Sequence, residues 1–157
     1  MITLRPLIFL LSLVAIPALA APDTPLGQSH AIEKEYSKQK VVYDVTSGSV
    51  ADITSVLDRV SLLSQLNGAD PFENKIVIVL HGKAIPLFAR KHLAKYKELM
   101  LRAQSLSIGD VIEFRMCGTS ARLQGFKPDD FHGFITLVPM ADAEIIDLQD
   151  QGFAYMQ

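Results

Sequence analysis

The sequence predicts an α/β fold, a three-layer α/β/α sandwich around a mainly parallel five-stranded sheet. Short runs rich in β-branched and aliphatic residues alternate with stretches of helical periodicity, the pattern of strand–helix–strand crossovers. Ile76 to Leu80 is an unbroken run of large aliphatics, which fits a central strand covered on both faces. Polar or small residues follow the first three strands, as the carboxyl edge of such a sheet requires.

Val41 to Val45 reads as the first strand, followed by a turn through Thr46, Ser47, Gly48 and Ser49. Ile53, Val56, Leu57, Val60, Leu63 and Leu66 recur at three- and four-residue spacing, so they share one face of an amphipathic helix. Asp52 is the expected N-cap of that helix, and Asn67-Gly68 its stop, with Asp70-Pro71 continuing the loop. The strand Ile76 to Leu80 ends at His81-Gly82. Pro86 suits the first turn of a second helix carrying Leu87, Phe88, His92, Leu93, Tyr96, Leu99 and Met100, with Arg90, Lys91, Lys95 and Lys97 outside.

Val111 to Met116 is the third strand, closed by Cys117-Gly118, and Thr119 to Gln124 supplies one or two helical turns. Lys127 to Asp130 is loop or a short turn, with Asp129-Asp130 a cap or solvated turn. Phe134 to Val138 is the fourth strand, stopped by Pro139. Ala141 to Gln151 reads as a helix with Ile145, Ile146 and Leu148 inward. After Gly152, Phe153 to Met156 makes a short fifth strand at a sheet edge. There are no internal repeats.

The N-terminus carries a different signal. Arg5 precedes an apolar run from Leu7 to Ile16, then Pro17 and the small residues Ala18, Ala20 and Ala21. A basic start, a short apolar stretch and an A-x-A site make a secretory signal peptide, with cleavage expected after Ala20 or Ala21. The run is short of the roughly 20 residues a membrane span needs; the other reading is a buried N-terminal helix. No cysteine follows to take a lipid anchor. Residues 21–40 read as a linker-like extension, in which Ala31 to Lys38 form a loose helix, and residues 41–157 as the folded domain. In a Gram-negative source the product is periplasmic, with no membrane span after the signal.

The chain has 15 basic and 17 acidic side chains, a net charge of −2. That balance lacks the basic footprint of a nucleic-acid binder. It has a single cysteine, Cys117, so no disulfide forms within one chain. A lone thiol in an exported protein is buried and inert, paired between chains, or reactive.

Cys117 is the first candidate for chemistry. A thiol becomes a good nucleophile as the thiolate, favoured at helix N-termini and near cations. Gly118 lets the chain turn, and the amides of Thr119 and Ser120 are placed to aim at the sulfur. Arg115 and Arg122 are the nearby cations. The other reading is a structural cysteine closing a strand, since cysteine is among the most buried residue types. His81 ends the neighbouring strand, where it accepts a proton from Cys117 or holds the thiolate as an ion pair, or else only bonds a loop carbonyl. His30, His92 and His132 are weaker, the last expected at the surface. Ser47, Gly48 and Ser49 precede a helix, so their amides either cradle an anion or make an ordinary turn. With His81-Gly82 and Cys117-Gly118-Thr119-Ser120 they should meet at one sheet edge. The sequence lacks G-x-S-x-G and C-x-x-C, which removes the serine-hydrolase elbow and the thioredoxin dithiol. No spacing suggests a metal site, and no cofactor is expected.

The strand Ile76–Leu80 before His81-Gly82, the strand Val111–Met116 before Cys117-Gly118, Leu137-Val138-Pro139, and the ending Gln151-Gly152-Phe153-Ala154-Tyr155 together resemble the DsrE/DsrF-like family. The resemblance covers about Lys40 to Gln157. It implies a five-stranded parallel α/β/α domain that assembles into trimers or hexamers. It also implies, for some relatives, a sulfur carrier whose cysteine after the third strand holds sulfane sulfur as a persulfide. Cys117 matches that position and His81-Gly82 a step found in many members, without a fixed role. Export sets this chain apart from the cytoplasmic carriers. Three readings follow. The first is a persulfide carrier exchanging sulfur with a donor or acceptor protein. The second is a non-catalytic periplasmic ligand-binding or scaffold module over Ser47, His81 and Cys117, with Gly82, Gly118, Thr119 and Ser120 around it. The third is a redox sensor acting through Cys117.

Overall fold

The computed structural model describes residues 26–70 and 74–157. The expected export signal, its expected cleavage site and Pro71 lie outside them. Every helix and strand among the described residues lies within the unit Glu35–Gln157. The described residues 26–34 carry no helix or strand and are exposed. The helix expected over Ala31 to Lys38 is absent: Ile32 and Tyr36 are both exposed, so that segment buries no apolar face that would repay helix nucleation.

Five strands form one sheet: β1 (Lys40–Val45), β2 (Lys75–Leu80), β3 (Ile112–Cys117), β4 (Ile135–Val138) and β5 (Ala154–Met156). Their order is β4-β3-β2-β1-β5, and every pairing is parallel. Four α-helices accompany them: α1 (Val50–Leu66), α2 (Leu93–Ser107), α3 (Gly118–Leu123) and α4 (Ala141–Asp150). The fold is the predicted α/β sandwich, with the short fifth strand at the edge beside β1.

Strand alternation divides the core in two. One face presents Val41, Tyr43, Val45, Ile76, Ile78, Leu80, Ile112, Phe114 and Met116 to α1 and α2. The other presents Val42, Val77, Val79 and Cys117 to Ala141, Ile145 and Leu148 of α4, with Phe153 alongside. Burial on both faces explains why β2 reads as an unbroken aliphatic run. On α4 the inward residues are Ile145 and Leu148, whereas Ile146 is exposed, because a ten-residue helix turns only a narrow stripe toward the sheet.

Two local readings are corrected by the backbone. The N-cap of α1 is Ser49, whose extended conformation precedes Val50 and whose hydroxyl accepts the Asp52 amide at 3.3 Å. Asp52 sits three positions in, where its carboxylate still favours the positive end of the helix. The second helix begins at Leu93. Before it, Gly82–Phe88 and Arg90–His92 wind as 3₁₀ turns, separated by Ala89 in an extended conformation. Pro86 lacks the amide an α-helix would use beyond its first turn. The His92 Nδ1–H donates to the Pro86 carbonyl at 2.7 Å and fixes the junction. Leu87 and Phe88 still reach the core, but Leu93 lies exposed at the start of α2.

The amino end of the sheet is tied by charge. Glu113 pairs with Lys75 of β2 and with Arg115, and Arg115 also pairs with Glu144 of α4. Partial burial opposes a charge on Glu113. Hydrogen bonds from Lys75 and Arg115, and then their charges, outweigh that and hold its carboxyl below the usual glutamate range.

Two outcomes follow for stability. Phe114 is 1% exposed and packs on Phe88 and Phe134. Phe114→Ala should lower unfolding free energy by about 3–5 kcal/mol, read from urea denaturation. Glu113 has a lowered folded-state pKa, so its stabilisation is present above the unfolded value of about 4.3 and is lost as pH falls through the folded value. Glu113→Gln should therefore melt below the wild type at neutral pH, and the gap should close as the pH is taken below about 4. A gap unchanged by acid would show that the carboxylate charge is not what stabilises.

Candidate functional site

Parallel pairing brings the carboxyl ends of β1, β2 and β3 to one edge, and their following segments meet there. The register pairs Val45 with Leu80 and Leu80 with Met116. One residue further, Thr46, His81 and Cys117 form the next row. The His81 amide continues the ladder, donating to the Val45 carbonyl at 3.0 Å.

Cys117 caps α3. Its Sγ accepts the Ser120 amide at 3.3 Å and also the amide of Ala141, the first residue of α4, at 3.3 Å. Two helix starts thus converge on one sulfur. The expected Thr119 donor is turned elsewhere. Its amide and hydroxyl both donate to the Pro139 carbonyl, at 3.2 and 2.9 Å. Ala141 takes its place, a donor 24 residues away in sequence that only the β4–α4 connection delivers. Cys117 is 5% exposed and lies in the apolar layer under α4.

Neither nearby arginine serves the sulfur. Arg115 shares the sheet face with Cys117 but is neutralised by Glu113 and Glu144. Arg122 is exposed on α3, where it lines a cleft of ≈ 540 Å³ together with Gly118, Thr119, Lys127, Leu137 and Pro139. That cleft opens between the ends of β3 and β4, beside the strand end that carries Cys117.

His81 has a partner the sequence reading did not identify. Its Nε2 lies 2.6 Å from Asp44 Oδ1, and the side chains are 21% and 17% exposed. The other Asp44 oxygen accepts the Tyr155 hydroxyl at 2.7 Å, and Tyr155 in turn accepts from Gln157 Nε2 at 2.9 Å. The hydrogen bond to Asp44 holds the Tyr155 phenol above its usual range. An acid inside the otherwise apolar run Val41–Val45 is the signal that marks Asp44.

The remaining predicted residues build the rim. Ser47 donates to Asp52 at 2.6 Å and accepts the Ser49 amide at 3.1 Å, while Ser49 caps α1. This loop therefore directs its polar groups to its own turn. Gly48 passes so close to Lys83 that a Cβ there would meet Lys83 Cβ and its carbonyl oxygen at 3.1 Å. Gly82 donates to the Ser120 hydroxyl at 3.2 Å, and its carbonyl accepts Gln124 Nε2 at 2.8 Å. Gly118 is held as tightly, its virtual Cβ 3.1 Å from the Val138 carbonyl. Of the other histidines, His30 is exposed and His92 holds its 3₁₀ junction. His132 stacks on Phe134 instead of facing solvent, and burial, then the charge of Arg90, pushes its pKa down. Among the described residues no cluster of metal-ligating side chains occurs, and no helix is long and apolar enough to cross a membrane.

The parallel five-stranded fold has a counterpart among solved structures. The chain is similar in fold to a solved protein of unknown function, MTH1491 from Methanobacterium thermoautotrophicum, at a TM-score of 0.58 and 20% identity over 76% of this chain and 98% of that one. No curated protein matches it. The model of the DsrE/DsrF-like family matches residues 40–157, the sheet and its whole carboxyl edge, and the chain belongs to that family.

Proposed function

We propose that this chain is an exported sulfane-sulfur carrier that holds sulfur as a persulfide on Cys117. The observation that carries the reading is the pair of backbone amides, from Ser120 and Ala141, that converge on the sulfur. Fixed donors of that kind complement a sulfur that bears negative charge, without reorganisation during the reaction. In the proposed step the Cys117 thiolate attacks the outer sulfur of a donor such as thiosulfate. A new S–S bond forms, the donor's S–S bond breaks, and its electron pair leaves on sulfite. Transfer to an acceptor thiolate reverses the same exchange, so no external oxidant enters. The cleft beside Gly118 and Thr119 is the side from which a donor would approach.

Family membership supports the sulfur chemistry at the level of class. The leader-like residues 1–20 support export to the periplasm, where sulfur oxidation would supply donors. Assembly into a homo-oligomeric trimer or hexamer, and docking to a donor or acceptor protein, belong to the same reading. No cofactor is required by it.

Burial of Cys117 favours a second reading, a non-catalytic ligand-binding or scaffold module in which the thiol is only core. Thiol labelling of the native protein separates the two. Modification at neutral pH within minutes agrees with exchange chemistry, whereas protection until unfolding agrees with the module. For the carrier itself, Cys117→Ser should fold normally and fail to gain sulfur mass on incubation with thiosulfate or polysulfide, measured by mass spectrometry. Equal uptake by wild type and variant would end the carrier reading.

A further inference from the structure

The carboxyl edge carries a hydrogen-bonded chain that sulfur exchange at Cys117 does not by itself require. Its polarity is forced by the groups in it. An ionised carboxylate only accepts, so at 2.6 Å the His81 Nε2 must carry a proton and donate it to Asp44. By the same rule the Tyr155 hydroxyl donates to the second Asp44 oxygen and accepts from Gln157. The carbonyl of Gln157 is held in turn by Arg59, which donates to it at 2.9 Å and lies over the Tyr43 ring. Asp44 is thus fixed from β5 on one side and presents its free oxygen to His81 on the other.

In a neutral imidazole one nitrogen donates and the other accepts. With the proton on Nε2, Nδ1 is the acceptor, and among the described residues it has no protein hydrogen-bond partner. His81 follows Leu80, which pairs with Met116, so its row is that of Cys117 on the adjacent strand. We propose that Asp44 is a positioning residue. It holds the His81 proton on Nε2 and leaves Nδ1 free to take the Cys117 thiol proton. That transfer leaves the S–H electron pair on sulfur and an imidazolium paired with Asp44. This role rests on the reading of Cys117 as the sulfur acceptor, but it makes a separate claim about the ring.

Asp44→Asn tests it. The Tyr155 hydroxyl continues to donate, now to the Asn carbonyl oxygen, which turns the amide NH₂ toward His81. The ring must then accept at Nε2 and carry its proton on Nδ1. Nitrogen-15 NMR of the ring should show the Nε2–H tautomer in the wild type and the Nδ1–H tautomer in Asp44→Asn. A wild-type ring protonated on Nδ1 when neutral overturns the proposal, whether or not the variant folds. The rate of Cys117 alkylation by iodoacetamide should fall by about tenfold or more in Asp44→Asn, as loss of a proton acceptor predicts. In a His81→Gln background the same substitution should change the rate no further. An equal slowing in that background would make Asp44 merely structural and overturn the relay. If native Cys117 resists alkylation altogether, the carrier reading fails, and the ring tautomers alone decide the role of Asp44.

Discussion

Parallel pairing is the constraint on which the site depends. Each parallel strand must be followed by a crossover, so all carboxyl ends share one edge of the sheet. Register then decides which side chains meet there. With Val45, Leu80 and Met116 in one row, Cys117 turns to the α4 face, where its sulfur meets the first amide of that helix. Asp44, on the other face of β1 from Val45, stands within reach of His81. A slip of one residue would reverse every side chain of a strand and scatter this set.

The loops beyond the edge are packed onto one another, which holds the short helix α3 in place. Six-residue helices have little stability of their own. This one is bonded through Ser120 and Gln124 to Gly82, and through Thr119 to Pro139. Gly48 and Gly118 matter for the same reason: each sits where a side chain would push a neighbouring backbone away. Glycine in these loops serves close approach as much as turning, which is why the Ser47-Gly48-Ser49 segment resembles an anion cradle in sequence while its polar groups serve the loop itself.

The sheet was legible because two-sided burial leaves runs such as Ile76–Leu80 that need no partner to be recognised. The positions of His81 and Cys117 at strand ends followed from the same runs. What stayed hidden depends on long-range geometry. Ala141 became a sulfur ligand only through the β4–α4 turn, and Tyr155 reached Asp44 only because β5 returns to the edge beside β1. The α2 region shows another limit. Helical spacing is shared by 3₁₀ turns over so short a stretch, so the periodicity assigns Leu87 and Phe88 to the second helix although they enter the core from the 3₁₀ turn before it.

Burial of the sulfur and its two amide donors are both explicable by structure alone. Helix starts leave amides without partners, and a sulfur that accepts two of them satisfies groups that would otherwise be buried unpaired. The Asp44–His81–Tyr155 chain is different. Each of its members is partly open to solvent, where ion pairs and hydrogen bonds add little to stability. The hydrophobic core of β1 would gain from an apolar residue at position 44 as its neighbours Val42 and Tyr43 do. An acid placed there, oriented from both sides and aimed at a histidine in the same row as the chain's one thiol, is poorly explained as packing. It is the arrangement that the proposed proton transfer at that edge would use. The dyad beside the cysteine therefore supports the proposed exchange separately from the two amides that converge on the sulfur.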